Sequence, residues 1–386
     1  MDPAFFVNRV EVISAAGKAF ERSLSAKPPK PDNLAVTGKW GYGKTSLLRK
    51  IEVIALQNPR IFTAYVELTP SSCLDFNSFA ARVRDEVERS FKTSSISLTA
   101  KLKNSLLPQW RIKTIELGIG VGLERKENRQ SIITVFEDAL RELWKVLEGN
   151  GIGLAVLMLD DLHYLAQNYP AGLYDLRGVF QRLAMEGCNF LLVITGPSSL
   201  FQIKEFAEPF ARFFEKHELG LFGLEETRNS IKLPLKLSKS GVDVGDAVVK
   251  EIYENTRGHP YFIHFIMQLL FDSCEGSEIT MQTYRDNRAK IAESLARDKF
   301  EYDFFSRASE KERGVLQAMA KIAGDDVPPL QVKVPNSRKL LRVLTEKGLV
   351  VQDGRGKYSI YHPLFKQFLL STTAKVKKVP KVKAAE

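Results

Sequence analysis

The chain has 386 residues, of which 44% are apolar and 26% are charged, and its formal net charge at pH 7 is +10. This composition is typical of a globular protein of two or three domains and argues against a largely disordered chain. The longest apolar run, residues 151–159, is too short to span a bilayer, the N-terminus lacks a signal-peptide pattern, and the three scattered cysteines match no disulfide or metal-binding pattern. We therefore expect a cytoplasmic protein with no membrane contact.

Short apolar runs alternate with amphipathic segments over the first 222 residues. The apolar runs predict buried strands at 34–36, 61–68, 154–159 and 190–194. The segments between them predict helices at 8–25, 45–56, 75–91, 131–147 and 171–186. This alternation predicts an α/β fold, in which helices cover both faces of a parallel sheet. Residues 92–130 interrupt it with a basic insertion, interpreted as a loop followed by a possible β-ribbon.

The pattern after residue 222 is mostly helical. Helices predicted at 225–237, 244–256, 260–273 and 281–298 form a helical domain over 223–300. Residues 301–372 then follow the order of a winged helix: helices at 309–323 and 336–347, strands at 349–352 and 358–361, and a helix at 363–370. The lysine-rich segment 373–386 is predicted to be a flexible tail.

The net charge is concentrated near the C-terminus. Residues 1–300 carry a net charge of +2, residues 301–370 carry +4, and residues 371–386 carry a further +4. A basic C-terminal region is a narrower indication of nucleic-acid binding than a basic protein would be.

A phosphate-binding motif lies between the first predicted strand and the helix that follows it. The motif G-x-x-x-x-G-K-[ST] is matched by Gly38, Lys39, Trp40, Gly41, Tyr42, Gly43, Lys44 and Thr45, and Ser46 follows it. Its glycines allow backbone amides to surround a phosphate, and the helix N-terminus adds partial positive charge. We expect Lys44 to reach the β- and γ-phosphates of ATP and the Thr45 hydroxyl to bind Mg²⁺.

Two carboxylates follow the buried strand at 154–159. Asp160 and Asp161 are expected at the carboxyl edge of the sheet, where the phosphate loop also lies. There Asp160 would hold Mg²⁺, and Asp161 would orient or deprotonate the attacking water. The alternative is that the two acids cap the next helix.

With these motifs the chain resembles the AAA+/STAND class of P-loop ATPases, especially the archaeal type with a helical lid and a C-terminal winged helix. The segment Phe6-Val7-Asn8-Arg9-Val10-Glu11 resembles the box near the adenine, although Asn8 stands where glycine is usual. The resemblance implies that Arg9 lies near the adenine base of the nucleotide. It also implies an ASCE/AAA+-like three-layer core at 1–222.

The same resemblance assigns further site residues. Gly258-His259-Pro260 is similar to the Gly-x-Pro motif of the lid, whose proline packs on the nucleotide, although a helix end followed by a helix start has the same sequence. Thr195 falls where the class places its sensor of the γ-phosphate. Arg212 corresponds to an arginine that often projects into a neighbouring subunit's site, so an ATP-dependent homo-oligomer is implied.

Basic side chains mark one face of the predicted winged helix. Arg338, Lys339 and Arg342 lie on its second helix, and Arg355 and Lys357 lie at the hairpin tip. A basic helix next to a basic wing suits contact with a groove and phosphates of duplex DNA. Winged helices in STAND proteins also bind protein partners or act in autoinhibition, so both interpretations stay open.

Two hypotheses follow. The first is a slow, DNA-associated ATPase switch that cycles between ATP and ADP, similar to replication initiators or transposition regulators. The alternative is a STAND-type signalling ATPase that oligomerises on ATP and contacts protein partners.

Overall fold

The computed structural model describes residues 3–93, 126–202, 211–324, 326–352 and 356–376. The chain forms two compact units, Met1–Gly220 and Leu221–Glu386. The ribbon expected within the 92–130 insertion lies outside the described residues.

A parallel sheet is the centre of the first unit. In the described ranges it comprises β1 (Leu34–Gly38), β2 (Ile61–Glu67), β3 (Leu154–Asp160), β4 (Phe190–Gly196) and β5 (Glu215–Leu219), in the order β2-β3-β4-β1-β5. Its helices are α1 (Val10–Ser25), α2 (Lys44–Ala55), α3 (Phe76–Thr93), α4 (Lys126–Gly149), α5 (His163–Asn168) and α6 (Ala171–Met185). The predicted α/β fold with a parallel sheet is therefore confirmed, whereas β5 and the short α5 were not predicted.

The two faces of the sheet are covered by different helices. On β3, Val156 and Met158 belong to the apolar cluster formed with α1 and α2, whereas Leu157 and Leu159 belong to the cluster formed with α3 to α6. Side chains alternate between the faces of a strand. Asp160 therefore falls on the face that α2 covers, which brings the carboxylate toward the helix that begins with Lys44.

The second unit is mostly helical. Its helices are α7 (Leu224–Leu237), α8 (Asp246–Thr256), α9 (Pro260–Asp272), α10 (Met281–Leu295), α11 (Glu310–Ala320), α12 (Ser337–Glu346) and α13 (Pro363–Val376). Two strand pairs accompany them: parallel β6 (Asp243–Val244) and β7 (Glu278–Ile279), and antiparallel β8 (Val350–Gln352) and β9 (Tyr358–Ile360). A continuous buried cluster extends from Phe222 to Leu369. Among the described helices of the whole chain, none combines the length and apolarity needed to cross a bilayer.

A buried acid organises the connection between α10 and α11. There the chain forms two π-helical segments, Ala296–Phe300 and Tyr302–Arg307. The fully buried Asp303 accepts hydrogen bonds from Lys299 Nζ and Arg307 Nη1, each at 2.9 Å, and from the Tyr361 hydroxyl at 2.8 Å. Burying a carboxylate is costly unless it is paired in this way. The network therefore ties the end of β9 to the segment that precedes α11.

Replacing Asp303 by Asn tests the contribution of this network. The substitution preserves the shape of the side chain but leaves Lys299 and Arg307 without their shared counter-charge, so we expect a loss of about 3 kcal/mol in the free energy of unfolding. Urea unfolding followed by circular dichroism measures it. The control is Asp326→Asn, which removes an exposed ion pair with Lys357 and should leave the midpoint unchanged. Equal midpoints for the two variants would contradict the assigned role.

Candidate active site

The phosphate loop joins the end of β1 to the start of α2. Gly41 and Gly43 have φ angles of 76° and 89°, in the left-handed region that glycine adopts without strain. Lys44 Nζ donates to the carbonyl oxygens of Gly38, at 2.9 Å, and Lys39, at 3.2 Å. Burial lowers the pKa of Lys44, and the nearby carboxylates of Asp161 and Asp160 act in the opposite direction. The loop thus holds a cation beside a helix N-terminus, an arrangement that binds anions.

The other residues of the motif occupy the same loop with different exposure. Trp40 is 51% exposed, whereas Tyr42 packs against the apolar cluster beneath α1 and α2. Thr45, in the first turn of α2, is exposed, and Ser46 next to it is half-buried. The Thr45 side chain is therefore not enclosed by the packing of the loop.

Asp160 lies at the end of β3 with 2% of its surface exposed. One carboxylate oxygen accepts a hydrogen bond from the Tyr65 hydroxyl at 2.7 Å, and the other accepts one from the Thr195 hydroxyl. Both donors are neutral hydroxyl groups, and together they constrain the orientation of the Asp160 carboxylate.

Thr195 connects the two adjacent acids. It is fully buried near the end of β4, donates to Asp160 and accepts a hydrogen bond from the Asp161 backbone N–H at 2.9 Å. Asp161 has a φ angle of 59°, unusual for a residue other than glycine. The structure thus brings together Asp160, Asp161 and Thr195, which the sequence placed at the ends of two strands.

The environment of Asp161 changes its acidity. Burial, reinforced by the charge of Asp160, raises the pKa of Asp161 to about 6. His163 Nδ1 lies 3.5 Å from a carboxylate oxygen of Asp161, and burial together with the charge of Lys44 lowers the pKa of His163 to about 4. Near neutral pH, Asp161 is therefore a carboxylate with raised proton affinity beside a neutral imidazole.

Tyr65 is a site residue that the sequence analysis missed. Its position on β2 pairs with Met158 on β3, two residues before Asp160, and the Arg49 guanidinium lies 3.2 Å from the centroid of its ring. Burial, followed by the charge of Asp160, raises the pKa of the Tyr65 hydroxyl. A buried tyrosine usually requires a hydrogen-bond partner. Tyr65 stands in the predicted strand 61–68, so the sequence indicated a need for a partner but not which residue supplies it.

The available donors fit a magnesium ion. The Thr45 hydroxyl and the Asp160 carboxylate supply oxygen atoms, which Mg²⁺ prefers. Among the described residues there is no group of three or more His, Cys, Asp or Glu side chains that could hold a metal. Mg²⁺ commonly binds through one or two carboxylates together with waters and substrate phosphates, which is compatible with the oxygens of Thr45 and Asp160.

The N-terminal box adopts an unusual backbone. Asn8 has a φ angle of 70°, so the position where the resembled class has glycine requires a left-handed conformation, which Asn tolerates better than most residues. Arg9, with a φ angle of 56°, donates from its guanidinium to the carbonyl of Gly220. The charge of Arg9 also acts on Tyr42, whose pKa is raised by burial. Arg9 therefore lies near the phosphate loop.

Two other predicted residues occupy distinct local settings. Arg212 is exposed in the short 3₁₀ turn Ala211–Phe213 before β5. Pro260 is buried at the first position of α9, following His259. A helix end and a helix start therefore do flank the Gly-His-Pro sequence.

The five basic residues predicted to contact DNA fall into three groups. Arg338, Lys339 and Arg342 are exposed on α12, and no described acidic side chain lies within ion-pair distance of them. Lys357 pairs with Asp326 at 2.9 Å. Arg355 lies outside the described residues.

Comparison with known proteins places this site in a P-loop domain. Residues 20–194 match the model of the KAP family P-loop domain. That range contains the phosphate loop and both acids. No curated protein matches the chain.

Solved structures with a similar fold extend over nearly the whole chain. The Walker-type ATPase of Pyrococcus abyssi is 15% identical, with a TM-score of 0.59 over 95% of this chain and 99% of that one. The Aeropyrum pernix ORC1 protein, in a complex with DNA, is 16% identical with a TM-score of 0.49 over 97% and 95% of the two chains. The family model and the Pyrococcus structure together confirm the expected P-loop NTPase fold.

Gly258 provides a test of the Gly-His-Pro geometry. Its φ angle is 73°, and an added Cβ would lie 1.9 Å from the carbonyl oxygen of Phe222. We therefore expect Gly258→Ala to reduce the free energy of unfolding by about 2 kcal/mol or more. The matched control is Gly314→Ala within α11, where an added Cβ meets nothing within 4 Å, and which should stabilise by about 0.5–1 kcal/mol. Thermal unfolding that shows the same shift for both variants would contradict this explanation.

Proposed function

We propose that this P-loop NTPase binds ATP with Mg²⁺ and hydrolyses it slowly, as a nucleotide-dependent switch. The proposal is based on one observation: the carboxyl ends of β1 and β3 lie at the same edge of the parallel sheet. The phosphate loop follows β1, while Asp160 and Asp161 follow β3, and the charges of both acids act on Lys44. A phosphate-binding cation and a pair of carboxylates are the groups that phosphoryl transfer to water requires.

Each residue of the site has a proposed part in the reaction. Lys44 binds the β- and γ-phosphates, and Thr45 and Asp160 would hold Mg²⁺, which neutralises phosphate charge when bound. Asp161 orients the attacking water and accepts its proton, a part supported by its raised pKa, since a base works best when its pKa is near the working pH. Thr195 positions both acids.

The parts assigned from family resemblance complete the proposal. Arg9 contacts the nucleotide, and Arg212 acts in the site of a neighbouring copy, where a cation stabilises charge on the transferred phosphoryl group. The backbone amides of residues 38–46 bind the phosphates. Binding of ATP in place of ADP then sets the state of the switch.

We also propose that the C-terminal part contacts duplex DNA. The order α11, α12, β8, β9 matches a winged helix, and the exposed face of α12 carries Arg338, Lys339 and Arg342 without described acidic partners. In such an arrangement the second helix enters a groove while basic side chains contact phosphates. The lysines of residues 373–386, the first of which lies in the last turn of α13, add nonspecific affinity. Lys357, paired with Asp326, contributes less than its sequence position indicated.

Lys44→Ala tests nucleotide binding. Loss of the ammonium group removes the contact to the β- and γ-phosphates, so we expect ATP affinity to fall at least about 10-fold and hydrolysis to become undetectable. Calorimetric titration and a phosphate-release assay measure the two effects. Lys145→Ala, which removes an exposed lysine on α4, is the control and should behave as the unmodified protein. Equal affinity in both variants would refute the proposed site.

The double variant Arg338→Glu/Arg342→Glu tests DNA binding. Reversing two charges on α12 should weaken duplex binding by about 10-fold or more and flatten its dependence on salt, because fewer counterions are released. Fluorescence anisotropy at several salt concentrations measures both. Arg285→Glu/Arg288→Glu makes the same charge change on exposed residues of α10 and should have a smaller effect. An unmodified chain that fails to bind duplex at low salt would favour the signalling alternative.

A further inference from the structure

The carboxylate of Asp160 is held between two strands. Tyr65 on β2 donates to one oxygen at 2.7 Å, and Thr195 on β4 donates to the other. A cationic donor in either place would offset the negative charge that a divalent cation needs, whereas hydroxyl groups leave it intact. The hydroxyl groups of Tyr65 and Thr195 therefore fix the orientation of the Asp160 carboxylate without placing a positive charge beside it.

The two hydroxyl groups are not equivalent. Thr195 also accepts a hydrogen bond from the Asp161 backbone, so its position is coupled to the neighbouring loop. Tyr65 is 7% exposed and is held from the opposite side, because its ring packs in the cluster beneath α2 and the Arg49 guanidinium lies over its face. Arg49 is itself paired with Glu52 at 2.9 Å. Tyr65 thus ties the carboxylate to the helix that begins with Lys44 and Thr45.

We propose that Tyr65 is a positioning residue that holds the Asp160 carboxylate in register with the phosphate loop for Mg²⁺·ATP. The inference rests on the proposed ATPase function. Tyr65 touches neither phosphate nor the attacking water in this role and acts only through Asp160. Hydrogen-bonding partners of metal ligands typically affect metal affinity or activity about 10- to 100-fold.

The test removes the hydroxyl group and keeps the ring. For Tyr65→Phe, we expect the tightening of ATP binding by Mg²⁺, measured by calorimetry as the ratio of Kd in EDTA to Kd in Mg²⁺, to fall about 10-fold. The Kd for ATP in EDTA should stay within about two-fold of the unmodified value, since phosphate contacts are untouched, while kcat falls about 10-fold. Tyr169→Phe, which removes a hydroxyl bonded to Asp175 at 3.4 Å, is the control and should change none of the three.

The outcomes separate positioning from general packing. Equal loss of ATP affinity with and without Mg²⁺, or an unchanged Mg²⁺ response in a folded variant, overturns the proposal. If Tyr65→Phe does not fold, 4-fluorophenylalanine at this position fills the volume of the hydroxyl without a donor, and a normal Mg²⁺ response in that variant also overturns it. An unmodified protein that binds no ATP would refute the proposed function instead.

Discussion

The parallel register of β1, β3 and β4 is the constraint on which the candidate site depends. Parallel strands end at the same edge of a sheet, so the phosphate loop, the two acids and Thr195 meet there, although the loop is more than a hundred residues from the acids in the chain and Thr195 is 35 residues from Asp160. The alternation of side chains then places Asp160 on the face that α2 covers. The order and direction of the strands therefore bring the site residues together, and their side chains provide the functional groups.

Within the parallel sheet, the strands that could be predicted were β1 to β4, which are buried on both faces over nearly their whole length. β1, β3 and β4 are continuous apolar runs, and each was predicted within two residues of its observed end. β5 was not predicted because its sequence is Glu-Lys-His-Glu-Leu and it is largely exposed, so it has no apolar pattern that would indicate a strand. The motifs at 38–45 and 160–161 were recognisable because their chemistry is local in sequence. The role of Tyr65 was not, since its partner lies 95 residues away and only the register of β2 with β3 relates them.

The second unit is held together by one continuous apolar core and a buried hydrogen-bond network. Its apolar cluster is continuous from Phe222, before α7, to Leu369 in α13. The hydrogen bonds of Asp303 to Lys299 and Tyr361 join residues on both sides of the domain boundary that was predicted at residue 300. The helical part and the basic C-terminal part therefore share one interior. Periodicity alone predicted the helices well but carried no information on how far their common core extends.

The charges that concealed β5 have another consequence. Within the described residues β5 is an edge of the sheet, with β1 as its neighbour. An exposed edge offers unpaired backbone groups to any other extended chain, and charged side chains discourage such pairing. Glu215, Lys216 and Glu218 alternate in sign along this short edge. These charges discourage strand addition at the edge of the sheet that carries the candidate site. The same charges replace the apolar residues that would have allowed β5 to be predicted from the sequence.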